Sequence, residues 1–162
     1  MGWDDLPEDV EPLGGGITTA WFLLEVDGVE IGSFRTVRGL QLSVEVEQYA
    51  EGGENGFVHK FPGRLTWPNL VFSRGLVSSD ALFTWVAASG GEGFASNGNS
   101  VRRSTGAVSA LDHEGNRLRS WEFDRVFAVS WTGPDLDVGR EDELIEQLEV
   151  AHHGFRAKTR QG

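Results

Sequence analysis

The sequence contains no cysteine. This excludes disulfide bonds, thiolate-bound zinc, iron–sulfur clusters and cysteine nucleophiles. Lysine is almost absent too, because Lys60 and Lys158 are the only two among 162 residues. Acidic residues outnumber basic ones by 25 to 14, which gives a formal net charge of −11. Since contacts to phosphate need cations, this balance argues against specific binding of nucleic acid.

Long apolar runs are also missing. No stretch approaches the ~20 apolar residues that span a bilayer. The N-terminal residues lack the basic and apolar segments of a secretory signal, so we expect no membrane segment, no signal peptide and synthesis in the cytosol. Glycine is abundant, with 22 residues, and proline is scarce, with 5. This combination indicates many tight turns in a single folded domain.

The beginning of the chain differs from the rest in composition. Residues 1–17 contain five carboxylates, no cation and three consecutive glycines, and the first cation of the chain is Arg35. A segment with little to bury and charges of one sign does not form a core. We therefore expect a flexible acidic arm over residues 1–17, followed by one domain over residues 18–162.

Short apolar runs separated by turn signals predict an antiparallel β-structure. The clearest signal is Asp27-Gly28, which stands between two such runs and is typical of a tight hairpin. Strands are predicted over residues 20–26, 29–35, 40–50, 57–61, 69–75, 107–112 and 117–131. The strand over residues 57–61 is predicted to end at Pro62-Gly63.

One short α-helix is predicted among these strands. Ser79 is its expected N-cap and Gly90 its expected stop signal. Leu82, Trp85 and Val86 share one face of such a helix and are predicted to be buried. The fold class is therefore mainly β: an antiparallel β-barrel or sandwich with one short α-helix.

Residues 40–50 alternate between apolar and polar side chains. A period of two is typical of a strand with one buried and one solvated face. The buried face is predicted to hold Leu40, Leu42, Val44 and Val46. The solvated face then carries Glu45 and Glu47, so it is acidic.

Residues 141–153 give conflicting signals. Their composition favours a helix, whereas alternation places Leu144, Leu148 and Val150 on one side of a strand together with Glu146. Burying the three apolar side chains outweighs the small differences in helix propensity. We predict a strand over residues 144–152, with those three side chains inward and Glu149 outward.

No constellation of residues points to catalysis. The adjacent His152 and His153 would lie on opposite faces of a strand and do not form a chelating pair. The run 112–114, Asp-His-Glu, falls on a predicted turn, where polar residues need no function. Asp135 and Asp137 lack a third calcium ligand in register. We assign no catalytic, cofactor-binding or metal-binding residue.

Several segments, in order and spacing, resemble the tail tube proteins of contractile phages and of phage-tail-like contractile injection systems. The matching pieces are FLLEVDGVEIGSF, VRGLQLSVEVEQYAEGGENGFVHKFPGRL, NLVFSRG and ELIEQLEVAHHGF, and they extend over nearly all of residues 20–156. The most specific piece is the run of Glu45, Tyr49, Glu51, Gly52, Gly53 and Asn55.

The resemblance implies an inner tube subunit with no enzymatic activity and no cofactor. Six subunits would close a ring, the rings would stack into a hollow tube, and contraction of a surrounding sheath would drive the tube through a target envelope. The implied partners are other copies of the chain, a sheath protein, baseplate or tube-initiator proteins, and a luminal cargo or tape-measure protein. The same fold serves the type VI secretion tube.

The resemblance also implies which residues make contacts. Contacts between stacked rings are expected from Tyr49, Glu51, Gly52, Gly53, Glu54, Asn55, Gly56 and Phe57. In a closed barrel the acidic face with Glu45 and Glu47 is either lumen or outer wall, and we favour the lumen. The alternative to a tube subunit is a stand-alone β-sandwich module that binds a carbohydrate or a protein.

Overall fold

The structure is a computed structural model that describes residues 18–50, 58–90 and 104–158. This part of the chain contains eleven strands and one helix. In chain order they are β1 (Trp21–Val26), β2 (Val29–Phe34), β3 (Thr36–Arg38), β4 (Ser43–Ala50), β5 (Val58–Thr66), β6 (Leu70–Gly75), α1 (Ala81–Ala88), β7 (Gly106–Leu111), β8 (Arg117–Phe123), β9 (Phe127–Thr132), β10 (Ile145–Ala151) and β11 (Phe155–Lys158). The predicted arm over residues 1–17 and the contact loop over residues 51–57 lie outside the described residues.

The strands form three antiparallel sheets. A five-stranded sheet has the order β11-β8-β7-β1-β2, and a four-stranded sheet has the order β3-β6-β10-β9. The inner faces of these two sheets share one core, in which Phe34 and Phe72 meet with ring centroids 5.0 Å apart. The third sheet is the pair β4-β5. The predicted fold class, a mainly β antiparallel structure with one short helix, is confirmed.

The first hairpin forms where the sequence predicts it. β1 pairs with β2 across Asp27 and Gly28, which have φ angles of 51° and 78°. Two consecutive positive φ angles are the signature of the tight turn that suits twisted strands, and Asp-Gly tolerates them. The turn is fixed further because the Asp27 carboxylate accepts a hydrogen bond from the Thr105 amide at 3.0 Å.

The helix forms where it is predicted, but the prediction of Ser79 as its N-cap is wrong. α1 buries Leu82 and half-buries Trp85 and Val86 on the predicted face. Its N-cap is Asp80, and Ser79, the predicted cap, accepts a weak 3.4 Å hydrogen bond from the Ala81 amide. At eight residues, this helix is too short to cross a membrane, and no other helix occurs in the described residues.

The strand predicted over residues 117–131 is two strands in different sheets. β8 belongs to the five-stranded sheet and β9 to the four-stranded one. The chain turns between them at Arg125, whose φ is +51°. Val126 is buried over Gly106, so the turn is held by packing. Arg125 interrupts the apolar alternation at this point, and the predicted strand wrongly runs through that interruption.

The bounds of β4 and β5 also differ from the prediction. β4 begins at Ser43, whereas the alternating pattern begins at Leu40. β5 continues through Pro62-Gly63 to Thr66 and does not end there. Proline is tolerated because the register shifts beside it and the two-stranded sheet leaves its outer edges free of ladder hydrogen bonds.

The conflict over residues 141–153 is resolved in favour of a strand. β10 pairs with β6 on one side and with β9 on the other. Leu148 and Val150 point inward, with exposures of 0% and 1%, as predicted. The inward placement of Leu144 is wrong, because this residue precedes the strand and remains 39% exposed.

Candidate functional site: an exposed β-ribbon and open sheet edges

The most unusual surface of the subunit is the pair of strands β4 and β5, here named the ribbon. Its strands pair with each other and with neither main sheet. All eight residues of β4 are exposed. A two-stranded ribbon is at best marginally stable in water, so this one needs a further surface to lie against.

The two faces of the ribbon differ in chemistry. Side chains that are paired across antiparallel strands lie on the same face. The apolar face carries the pairs Val44–Leu65, Val46–Pro62 and Ala50–Val58, interrupted by Gln48–Lys60. The polar face carries Ser43–Thr66, Glu47–Phe61 and Tyr49–His59, with Glu45 on the same side.

The predicted burial of one face of this strand is wrong for the isolated subunit. Leu40, Leu42, Val44 and Val46 are 39%, 56%, 47% and 59% exposed. The alternation correctly separates the faces, but no other element of the described residues packs against the apolar one. Val58 and Leu65 of the partner strand are also more than half exposed. A contiguous exposed apolar surface of this kind marks a protein–protein interface.

The partner residues on β5 were not predicted from the sequence. Phe61 and Leu65 are four residues apart, and simple alternation would place them on one face. The register shift opposite Val44 and Val46 puts them on opposite faces. The sequence links β4 to β5 only through the family resemblance, because one of the matching pieces contains both strands and their connection.

The predicted contact residues divide between described and undescribed parts of the chain. Tyr49 is described and 57% exposed, on the polar face of the ribbon. Ala50 and Val58 pair at the end of the ribbon, so the predicted contact loop connects the two strands there. Glu45 and Glu47 share a face, as predicted, and their orientation toward a channel stays a prediction.

Open edges of the main sheets form a second exposed feature. The four-stranded sheet ends in β3 on one side and β9 on the other. β9 has the sequence FAVSWT, with no charge and no proline, and its Phe127 and Val129 are 37% and 45% exposed. Edge strands without such protection pair readily with another chain.

A buried ion pair lies on the core side of the same sheet. Arg74 of β6 and Glu146 of β10 face each other in register and form a salt bridge. The Arg74 guanidinium lies over the Phe34 ring, 5.0 Å from its centroid, and the Trp131 indole donates to Glu146 at 3.0 Å. The network therefore ties β2, β6, β9 and β10 together.

The residues considered for chemistry have structural roles where they are described. The Asp112 carboxylate accepts hydrogen bonds from the Asn116 side chain and from the backbone amides of Asn116 and Glu114, and these bonds hold its pKa below the ordinary value. Asp137 caps the amide of Gly139. Within residues 18–50, 58–90 and 104–158 no three acidic or histidine side chains gather as metal ligands.

Comparison with known proteins gives one family and a consistent set of folds. The family model of the T4-like virus tail tube protein gp19 matches residues 18–156. We found no match among curated protein sequences.

Solved structures with similar folds come from contractile injection systems. A chain of the PVC sheath–tube complex in its extended state is 22% identical, with a TM-score of 0.72 over 90% of this chain and 93% of that one. A chain of the PVC sheath/tube terminator is 21% identical, with a TM-score of 0.72 over 91% and 99%. A chain of the anti-feeding prophage baseplate, a 6-fold symmetrised structure, is 21% identical, with a TM-score of 0.69 over 90% and 96%. At these identities the likeness is one of fold.

Proposed function

The chain belongs to the family of T4-like virus tail tube proteins and is a structural subunit of the inner tube of a contractile system, and we propose that six copies close into a ring and that rings stack into a hollow tube. The observation that carries the proposal is the exposed apolar face of the ribbon, which no other strand or helix in residues 18–50, 58–90 and 104–158 covers. A neighbouring copy supplies that cover.

Ring closure also uses the open sheet edges. A head-to-tail interface whose rotation closes gives a ring and leaves no free edge. β9 and β3 are the two free edges of the four-stranded sheet, so joining them between copies continues that sheet around the ring. Closure of this kind removes the aggregation hazard of an uncharged edge strand.

The proposed tube also has partners other than copies of this chain. By analogy with the sheath–tube and baseplate complexes that share the fold, we propose that a sheath protein surrounds the tube and that baseplate or initiator proteins start it. Contraction of the sheath drives the tube through a target envelope and delivers a luminal cargo. The subunit is a component of a phage tail or tail-like particle, and we propose that it is assembled in the bacterial cytoplasm.

The first test is electron microscopy of the purified full chain. Rings or tubes are expected, whereas uniform monomers would favour the alternative, a stand-alone β-sandwich binding module. Val46→Asp places a charge on the apolar face of the ribbon and is expected to abolish assembly while the circular dichroism spectrum stays unchanged. Ser43→Asp places the same charge on the polar face of the same strand and is expected to leave assembly intact. Equal loss in both variants would contradict the assignment of faces.

The second test concerns the contact loop. We propose that Tyr49 and residues 51–57 join stacked rings, because this stretch connects the two strands of a ribbon that pairs with neither main sheet. Replacement of residues 51–57 by a short Gly-Ser turn is expected to leave rings and to remove tubes in negative-stain images. Tubes of normal length from this variant would refute the role of the loop.

The third proposal concerns Glu45 and Glu47. Their face of the ribbon is opposite to the apolar face, so an apolar contact with a neighbouring copy leaves these carboxylates uncovered. We propose that they lie in or beside the channel. Since the chain has no cysteine, Glu47→Cys gives a single thiol. In tubes, a small maleimide is expected to label it much faster than a large polymer-linked one, and equal rates would place it on the outer wall.

A further inference from the structure

His152 is held in one protonation state by its hydrogen bonds. It is 7% exposed, and its Nδ1 accepts a hydrogen bond from the Gly154 amide at 3.1 Å. An amide N–H can only donate, so Nδ1 carries no proton. The proton of the neutral ring is therefore on Nε2, which donates to the Pro68 carbonyl at 3.0 Å.

The ring also joins three parts of the fold. The indole of Trp67 stacks beside it with centroids 6.3 Å apart and donates to the His152 carbonyl at 3.1 Å. Phe123 of β8 meets the ring edge-on at 5.0 Å. Trp67 and Pro68 immediately follow β5, so His152 fastens the base of the ribbon to the turn between β10 and β11.

The turn itself has little room to adjust. Gly154 has a φ of +116°, and a Cβ there would lie 3.2 Å from the Trp67 ring. Its backbone is fixed from the other side as well, because its carbonyl accepts from the Asp124 amide at 3.0 Å. A repulsion between His152 and the Gly154 amide is therefore relieved only by opening the turn.

The titratable groups around the turn do not favour a charged ring. Burial lowers the pKa of His152 below its ordinary value and outweighs the hydrogen bond to the Pro68 carbonyl, which acts in the opposite direction. The neighbouring His153 lowers this pKa further. Asp124 and Arg125, of opposite charge, line a shallow cavity with the exposed His153. The segment 66–69 contributes no titratable side chain.

We propose that His152 is an acid-sensitive latch: a proton on Nδ1 would face the Gly154 N–H, open the turn and release Trp67 and Pro68 at the base of the ribbon. The local opening depends on the subunit alone. Its consequence, a weaker tube in acid, rests on the proposed function, because the ribbon is the proposed contact between copies.

The sign of the pH dependence follows from the depressed pKa. Because the folded form binds the proton less well than the unfolded form, stability is complete above the ordinary histidine pKa of about 6.5 and falls as pH falls below it. A ring that stays neutral in the folded state lowers the folding equilibrium constant up to roughly 30-fold at pH 5.

The direct test is nuclear magnetic resonance and hydrogen exchange on the full-length subunit between pH 7.5 and 5. The ¹⁵N shifts of His152 are expected to show the Nε2–H tautomer at pH 7.5. Protection of the Gly154 amide, corrected for intrinsic exchange, is expected to fall at least tenfold more than that of core amides in β10. An Nδ1–H tautomer at pH 7.5, or unchanged protection of Gly154 at pH 5, would overturn the latch.

Substitutions separate the latch from general acid effects. His152→Gln keeps a donor toward Pro68 and cannot take up a proton, so its Gly154 protection is expected not to change between pH 7.5 and 5. His153→Gln is the matched control at an exposed neighbour and should behave as the parent chain. If His152→Gln does not fold, His152→Asn, which keeps an acceptor near the Nδ1 position, serves the same purpose. A pH response identical in all variants would refute the proposal.

Tube length in the same pH range tests the link to assembly. Parent and His153→Gln tubes are expected to shorten or dissociate at pH 5, and His152→Gln tubes to persist. If no variant forms tubes at any pH, the proposed function fails while the exchange data still decide the latch. If the exchange data show opening but tubes are unaffected by acid, the coupling to the ribbon is refuted.

Discussion

Arg74 and Glu146 place an ion pair inside an apolar core, with side-chain exposures of 10% and 6%. The sequence carries a signal for it: Arg74 shares its parity with Leu70 and Phe72, and Glu146 shares its parity with Leu148. Two opposite charges at inward positions of two strands predict either a mistake in the strand assignment or a buried pair. The signal becomes readable only once β6 and β10 are known to be neighbours, and local sequence does not give that pairing.

We predict that Glu146→Gln lowers the free energy of unfolding by about 3–5 kcal/mol, because it leaves the Arg74 charge buried without a counterion. Urea unfolding of the unassembled subunit measures this change in the free energy of unfolding. Glu143→Gln is the matched control, since Glu143 forms a bidentate, solvent-exposed ion pair with Arg35. Solvent screens that pair, so the urea midpoint of this variant should stay close to that of the parent chain. Similar midpoints for both variants would show that burial of the first pair has no energetic consequence.

Two glycines with positive φ give a second comparison at single residues. Gly28 has a φ of +78° with nothing near its missing Cβ, whereas a Cβ at Gly39, with a φ of +92°, would lie 2.2 Å from the Asn69 carbonyl oxygen. Gly28→Ala is expected to cost about 1–2 kcal/mol, the price of a left-handed backbone. Gly39→Ala is expected to cost clearly more, because the backbone of residue 69 must also move. Equal decreases in melting temperature for Gly28→Ala and Gly39→Ala would show that the backbones of residues 39 and 69 move apart at no cost in stability.

Among the elements, those determined by local signals were predicted and those determined by contacts were not. The β1–β2 hairpin has its Asp-Gly turn, and α1 has its apolar face. β3 is three residues long and exists because it pairs with β6. The break between β8 and β9 lies at Arg125, and the buried parity changes there from odd, with Phe123 in β8, to even, with Ala128 in β9.

β10 shows why a strand forms despite a helix-favouring composition. It lies between β6 and β9, and both of its edges are paired. Differences in helix propensity are below ~1 kcal/mol per residue, whereas burying a Leu or Val side chain contributes roughly 1.5–3 kcal/mol. The alternation of residues 146, 148 and 150 therefore outweighs the composition, and Glu146 fits the inward set because Arg74 neutralises it.

We predict that Leu148→Asp prevents folding and ring formation, because it places a carboxylate at a position with 0% exposure. Glu149→Lys, one residue away on the other face, is expected to keep the fold and to lose only the hydrogen bonds from Asn69 and Ser130. Circular dichroism and size-exclusion chromatography distinguish the two outcomes. A folded Leu148→Asp variant would mean that β10 can shift its register by one residue.

For the whole molecule, the sequence predicts the fold class, but it does not predict that the apolar face of the ribbon is exposed in the subunit. The apolar face of the ribbon shows the same alternation as a buried strand, and nothing in residues 40–50 says that its cover comes from another copy. An alternating pattern predicts that one face of a strand is buried, but it does not tell whether the same chain or another chain covers that face. The predicted burial of Val44 and Val46 is wrong for the subunit, and a neighbouring copy in the proposed tube would bury them.

The net charge of −11 per chain opposes assembly, because copies of the chain repel one another while their apolar surfaces favour contact. The proposed ring would bring six times that charge together. Repulsion between exposed charges is screened over about 10 Å at 0.1 M salt but only over about 30 Å at 0.01 M. We therefore predict that tubes form faster and dissociate less at 300 mM than at 10 mM sodium chloride, as measured by light scattering and electron microscopy.

A double substitution identifies where that repulsion arises. Glu45→Gln with Glu47→Gln removes two charges per copy from the polar face of the ribbon and leaves the apolar face unchanged. If these carboxylates converge around the channel, the variant is expected to assemble at a lower salt concentration than the parent chain. Asp135→Gln with Asp137→Gln removes two charges from a loop outside the ribbon and should shift the salt requirement less. Strongest assembly of the parent chain at the lowest salt would contradict the prediction, because attraction between charged groups would then outweigh the repulsion of the net charge.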